Sequence, residues 1–324
     1  MAKIGIIGGS GYTGGELIRL LLNHSDVTID FVYSTTRAGK KISSAHADLI
    51  GATDLTFTGE VNTQVDVVFL CLGHGNSSNF LKEHKFSEET VIIDLSNDFR
   101  LQADATFQGR TYVYGLPELN KEAIKKTDAL ANPGCFATAI QLGLLPLAKA
   151  GVLQEDIHVN AVTGSTGAGV KPGDTTHFSW RNNNVSWYKP FTHQHLGEIG
   201  ESLDSFDNPT GKIYFLPNRG NFTRGILATI YTKFNGSTEE AKSLFTDFYQ
   251  EAKFTQVVDE PIHLKQVVNT NNCHIHLHKH DDILLITSAI DNLLKGASGQ
   301  AVQNMNLMLG FKESKGLKLK AGVF

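Results

Sequence analysis

With 324 residues and a mass of 35.4 kDa, the chain can bury a large core and is expected to form two domains. Hydrophobic residues make up 41%, charged residues 19% and the formal charge is -4, so no charge excess draws it to nucleic acid or an anionic membrane surface. No run reaches the ~18 apolar residues that span a bilayer. Met1-Ala2-Lys3 leads straight into an apolar run with no secretory leader, and three scattered cysteines fit a reducing compartment, so the expected location is cytoplasmic.

The first third alternates short apolar runs with helical stretches, the pattern of a parallel sheet with crossover helices. Strands are predicted at 4–7, 28–33, 65–72, 90–95 and 129–131, and helices at 14–22 and around 79–84. Between the first strand and helix, Gly9-Ser10-Gly11-Tyr12-Thr13-Gly14 matches G-x-G-x-x-G. Its glycines permit a tight turn and a close approach of a pyrophosphate to the helix N-terminus. About 20 residues on, where an NAD site carries a carboxylate on the ribose 2′-hydroxyl, the chain reads Tyr33-Ser34-Thr35-Thr36-Arg37. Hydroxyls of Ser34 and Thr35 with the Arg37 guanidinium suit a 2′-phosphate, which predicts NADP(H). Asp98-Phe99-Arg100 follows a strand at the carboxyl edge, where Arg100 either forks onto a phosphate or pairs with Asp94 or Asp98.

Asn132-Pro133-Gly134-Cys135-Phe136-Ala137-Thr138 ends a strand in a turn and opens a helix over 136–149, which Pro146 is expected to end or kink. A cysteine at a helix N-terminus is favoured as thiolate, the form a covalent catalyst needs. Cys71 reads as structural and Cys273 has no activating context. From 157 onward, strands at 157–163, 212–217, 225–234, 274–280 and 283–289 alternate apolar and polar residues, with a helix over 238–252, predicting a mixed sheet. A second glycine loop, Gly164-Ser165-Thr166-Gly167-Ala168-Gly169, can cradle a phosphate or lie close to the cofactor. His193 and His195, taken as an extended pair facing one cleft, are acid–base candidates. The run His274-Ile275-His276-Leu277-His278-Lys279-His280 imitates a metal site, but histidines two apart on a strand diverge, so no metal is assigned. A helix over 299–309 closes the pattern.

Taken together these residues resemble the N-acetyl-gamma-glutamyl-phosphate reductases of arginine biosynthesis, relatives of aspartate-semialdehyde dehydrogenase. The matching blocks run nearly end to end: Gly8–Gly14, 66–75, 94–100, Tyr114-Gly115-Leu116-Pro117-Glu118-Leu119, Asn132–Thr138, 164–169, 193–199, Arg224–Thr229 and Asp291–Ala301. The resemblance implies an α/β chain with a Rossmann-type NADP-binding domain (1–133 and 297–324) and an α+β catalytic and dimerisation domain with a mixed sheet (134–296). It makes Cys135 the nucleophile that forms a thioester and the His193–His195 pair the acid–base element, with His195 preferred. Ser165, Gly167 and Asn292 would lie near the cofactor, Arg100 would take the acyl phosphate, and Asn132 and Glu198 would contact substrate. A homodimer or homotetramer acting on a small acyl phosphate is implied.

The chain departs from the family wording at Phe136-Ala137, Val170-Lys171, Gln194 and Pro217–Gly225, which leaves the acyl group open between acetyl and succinyl. Three other readings compete. An aspartyl-phosphate reductase is opposed by Pro133-Gly134. A reductase of carrier-bound aminoadipyl phosphate is opposed by the lack of basic charge. A non-enzymatic NADPH sensor would need neither Cys135 nor His195.

Overall fold

The computed structural model describes residues 1–323 and divides into two compact units, Met1–Pro133 with Ala297–Lys318, and Gly134–Gly296 with the residues from Leu319 onward. The tail from Leu319 thus groups with the second unit and not, as expected, with the first. One hydrogen bond that holds it runs from the Gly322 N–H to the Val268 carbonyl.

In the first unit the chain runs β1 (Ala2–Ile7), α1 (Tyr12–Leu21), β2 (Val27–Tyr33), β3 (Val67–Leu70), α2 (Ser77–Glu83) and β4 (Val91–Asp94). A small hairpin, β5 (Thr106–Phe107) with β6 (Arg110–Thr111), precedes β7 (Val113–Tyr114), α3 (Pro117–Ile124) and β8 (Ala129–Ala131). The sheet order is β2-β1-β3-β4-β8-β7, all parallel. Its central strands are covered on both faces, so they read as unbroken apolar runs; Val67–Leu70 and Ala129–Ala131 are buried at every position. The two-residue edge strand β7 had no sequence signal, because so short a run has no period to detect.

The second unit opens with α4 (Cys135–Lys149), followed by β9 (Ile157–Thr163), α5 (Phe178–Arg181), β10 (Ser186–Trp187) and α6 (His195–Asp204). Then come β11 (Ile213–Arg219), β12 (Ile226–Lys233), α7 (Thr238–Tyr249), β13 (Thr255–Val258), β14 (Cys273–His280) and β15 (Ile283–Ile290). Seven strands form one mixed sheet in the order β10-β11-β9-β12-β15-β14-β13. Helices α4 and α7 pack on one face, and the strands alternate buried and open positions accordingly. On the open face, cross-strand pairing lines up His278, Leu285, Tyr231, His158 and Tyr214 in one row. Within it the His158 ring stacks between Tyr214 and Tyr231 at 5.3 and 5.0 Å.

Contrary to expectation, α4 neither ends nor is interrupted at Pro146 but continues to Lys149. Proline cannot donate to the carbonyl four residues back. That carbonyl, Leu142 O, instead accepts the buried Tyr249 hydroxyl at 2.5 Å, so α7 supplies the donor the helix lacks. After a π-helical turn, Leu294–Ser298, the chain re-enters the first unit as α8 (Gly299–Met308), which packs on α1 and α3.

Candidate active site

In the first unit the fingerprint loop joins β1 to α1. A Cβ on Gly14 would lie 2.6 Å from the Gly9 Cα, and one on Gly9 would run into Val32, so both positions exclude a side chain. The N-cap, Gly11, offers no side-chain acceptor to the first turn of the ten-residue α1. That leaves an uncapped helix N-terminus behind a glycine turn, which suits a pyrophosphate. Ser34 is buried beside the loop, its hydroxyl 3.3 Å from the Ser10 hydroxyl, while Thr35 is exposed and Arg37 half-buried, donating to the Ser44 carbonyl. The residues therefore fit a dinucleotide with polar groups at the ribose end. Sequence reasoning missed His46, whose Nε2 lies 2.7 Å from the Gly9 carbonyl and fixes the loop from behind.

Arg100 and Asn132 stand at the carboxyl ends of β4 and β8. The buried Arg100 donates from Nε to the Asn132 carbonyl at 2.9 Å and from Nη2 to the Leu95 carbonyl at 3.1 Å. Asn132 is buried as well, its amide bonded to the Ala297 carbonyl and to Asn304. Asp98 instead binds the N–H groups of Gly75 and Ser78 at the start of α2. Burial would raise its carboxyl, but these N–H groups and the Ser96 hydroxyl prevail and hold it below the usual range. Asp94 differs. Wholly enclosed, it is pushed up to about 6 by burial despite the Ser77 and Ser96 hydroxyls.

In the second unit Cys135 is the first residue of α4, whose N-cap Gly134 carries no side-chain cap, so the helix dipole favours a thiolate there. By contrast burial pushes the Cys71 thiol up to about 12, which keeps it protonated. His193 and His195 are not in an extended segment: His195 begins α6, and its N–H donates to the His193 Nδ1 at 3.2 Å. The rings still converge, centroids 4.5 Å apart, because a helix entry turn brings residues two apart to one side. With its Nδ1 accepting that backbone N–H, a neutral His193 carries its proton on Nε2.

Glu198 sits one turn along α6 and is buried. Its Oε2 accepts the Gly134 N–H at 3.0 Å, and its Oε1 lies 3.8 Å from the His195 Nε2. One carboxylate thus ties the residue before the nucleophile to the imidazole. A Cβ on Gly134 would come 2.7 Å from Glu198 Oε1 and collide with the His195 ring, which explains glycine before the cysteine. A Cβ on Gly296, in the π-helical turn, would lie 2.8 Å from the Cys135 Cβ. Sequence reasoning gave Gly296 no role beyond its place in the Asp291–Ala301 block. It also passed over Tyr188. Burial and then the nearby Cys135 push that phenol up to about 12, and its ring meets His193 edge-on at 5.8 Å.

The second glycine loop forms a 3-10 turn, Ser165–Ala168, held by side chains. Thr166 donates its hydroxyl to the Thr223 carbonyl at 2.6 Å and accepts from the Asn292 amide at 3.0 Å; the Asn292 carbonyl oxygen takes the Gly225 N–H at 2.7 Å. Beneath it the buried Asp291 receives a two-pronged bond from Arg224, at 3.0 and 3.1 Å. Ser165, Gly167 and Asn292 are thereby brought together. The histidines of β14 lie on the open sheet face, and among the described residues no three His, Cys, Asp or Glu converge on one point.

Two family models match the chain: the semialdehyde dehydrogenase NAD binding domain over residues 3–127 and the semialdehyde dehydrogenase dimerisation domain over residues 135–292. The N-acetyl-gamma-glutamyl-phosphate reductase of Christiangramia forsetii is 61% identical, and that of Flavobacterium johnsoniae 60%, each over the full length of both chains. The chain belongs to the N-acetyl-gamma-glutamyl-phosphate reductase family. The family member of Bacteroides fragilis is 55% identical over the full length. Among solved structures, aspartate semialdehyde dehydrogenase II of Vibrio cholerae shares the fold, with 17% identity, a TM-score of 0.71 and coverage of 96% of this chain and 99% of the other. The aspartate semialdehyde dehydrogenase of Candida albicans, solved with NADP, has 15% identity, a TM-score of 0.69 and coverage of 95% and 98%. As a member of this reductase family, the chain is an oxidoreductase whose second unit matches a domain of self-association. No helix among the described residues is long and apolar enough to cross a membrane.

Proposed function

We propose that the chain reduces an N-acyl-gamma-glutamyl phosphate to the N-acyl-glutamate 5-semialdehyde and inorganic phosphate, with NADPH as reductant, in arginine biosynthesis. The acyl group is acetyl or succinyl. The observation that carries this reading is the grouping of Cys135 at an uncapped helix start with Glu198 and His195 around Gly134, in a chain of this family. Cys135 thiolate attacks the γ-carbonyl, the bond from carbon to the phosphate oxygen breaks, and phosphate leaves a thioester behind; Arg100 is the residue assigned to the phosphate. When bound at the fingerprint loop, the nicotinamide supplies the hydride. His195 gives a proton to the oxyanion of the thiohemiacetal and takes it back as the carbon–sulfur bond breaks, which releases the aldehyde and restores the thiolate. Glu198 holds the imidazole in place. Ser34, Thr35 and Arg37 take the ribose 2′-phosphate, and the Ser165–Gly169 loop with Asn292 takes the nicotinamide end.

The chain works as a homodimer or homotetramer in the cytoplasm. The open sheet face with Tyr214, His158 and Tyr231, to which the exposed Trp187 and Phe191 add apolar area, is the surface this association would cover. The test runs the reaction backward, which avoids the unstable acyl phosphate: purified protein, NADP, phosphate and N-acetyl- or N-succinyl-glutamate 5-semialdehyde. Turnover that requires both phosphate and Cys135, lost in Cys135→Ala, is expected. Tight NADPH binding with no turnover of either analogue would sink the substrate assignment.

A further inference from the structure

The second unit carries a guanidinium without an anionic partner on the path to the nucleophile. Arg219 ends β11, paired with Thr163 where the second glycine loop begins. Its guanidinium lies over the Tyr188 ring at 4.6 Å. Beyond the Tyr188 phenol, its hydrogen bonding is one long bond, Nη1 to the Thr175 hydroxyl at 3.3 Å, and its Nε is buried with no acceptor. No carboxylate among the described residues pairs with it.

The neighbouring arginines differ. Arg181 gives its donors to the carbonyls of Thr175, Asn184 and Arg219 and to the Ser186 hydroxyl, and Arg224 is forked onto Asp291. Burial and then the charge of Arg219 hold the Arg181 guanidinium below its ordinary range, as expected for two cations with no anion between them. From Arg219 the aromatic contacts lead inward: Tyr188 meets His193 at 5.8 Å, and His193 meets His195 at 4.5 Å.

We propose that Arg219, with the Tyr188 ring as its platform, binds a carboxylate of the acyl-glutamyl substrate. This rests on the substrate reading above and deepens it. The planar fork of a half-buried arginine matches a carboxylate. An N-acyl-glutamyl substrate offers the α-carboxylate, and a succinyl chain offers a second.

The test compares wild type with Arg219→Met and Arg219→Lys in the phosphate-dependent direction, using both semialdehydes, with matched circular dichroism and thermal melts as folding controls. Loss of a charged hydrogen bond predicts a KM for semialdehyde raised about 10- to 100-fold in Arg219→Met. The same argument keeps kcat within about threefold, leaves the phosphate KM unchanged and gives a partial return in Arg219→Lys. A rise with both analogues identifies the α-carboxylate, and a rise with the succinyl compound alone identifies the distal one. Unchanged KM with both, or a rise in the phosphate KM alone, overturns the inference. Calorimetric titration with N-acetyl-glutamate and N-succinyl-glutamate reads the same affinities without turnover: weaker binding to Arg219→Met supports the assignment, and equal binding refutes it. That arm decides the matter even if wild type turns over neither semialdehyde.

Discussion

The two glycine-rich loops look alike on paper and are built on opposite principles. The first, at Gly9–Gly14, is shaped by absent side chains at two positions: a Cβ on Gly14 meets the Gly9 main chain, and one on Gly9 meets Val32. The second, at Gly164–Gly169, has one comparably crowded glycine, Gly164 against the Thr223 main chain, while Gly169 faces open space. Its shape comes from Thr166, Asn292 and the Arg224–Asp291 pair below. A loop made by steric exclusion is written locally. A loop made by braces depends on residues more than 50 positions away in the chain.

That contrast can be broken from the bracing side first. Asp291→Ala removes a buried carboxylate that also accepts the N–H groups of Asn269, Leu293 and Leu294, leaving Arg224 without its fork. The expected loss is about 3–5 kcal/mol of stability, read by chemical denaturation. An equally stable variant would show that the pair is not what holds the loop.

On the first unit's side, Asp94 gives a pH signature. Its carboxyl rises from the ordinary 3.8 to about 6, so between those values the folded state holds the proton and the unfolded state does not. Its contribution is therefore full below about pH 4 and declines as pH rises through 6, by about 3 kcal/mol in all. Asp94→Asn does not titrate, so the stability of wild type relative to this variant should fall from pH 4 to 6.5 and stay level above. A level difference throughout would mean the carboxyl is not raised.

Adding the methyl tests the steric loop directly. Gly14→Ala meets the Gly9 main chain, which cannot swing aside, and should cost about 1–3 kcal/mol and weaken NADPH binding. Gly169→Ala has the space but not the backbone freedom, with φ at +80°, and should cost less, about 1 kcal/mol. Thermal melts of the two variants side by side rank them; the reverse order would contradict the distinction. An effect of the bracing kind, smaller than that at Asp291, is expected at Pro146, where Tyr249→Phe leaves the Leu142 carbonyl unmet. A drop of about 1–2 kcal/mol is predicted, against none if water replaces the hydroxyl.

The chain's own letters determined a good deal. The apolar runs of β1, β3, β4 and β8 name a parallel sheet because strands covered on both faces cannot alternate. The fingerprint names its loop because Gly14 is demanded by the Gly9 main chain a few residues away. Cys135 was legible as the start of a helix because Pro133-Gly134 punctuates the chain there. Other features were decided only by tertiary structure. Gly134 abuts His195 and Glu198, and Gly296 abuts Cys135, so their need for glycine is set by residues that arrive from other elements. Glu198, expected to touch substrate, is aimed at a backbone N–H of residue 134, 64 positions away. The helix through Pro146 persists because a tyrosine 107 positions distant supplies the missing donor. Periodicity and turn chemistry act over a few residues and can be read in one dimension; a partner brought by the fold cannot, because nothing in the local sequence records who will arrive.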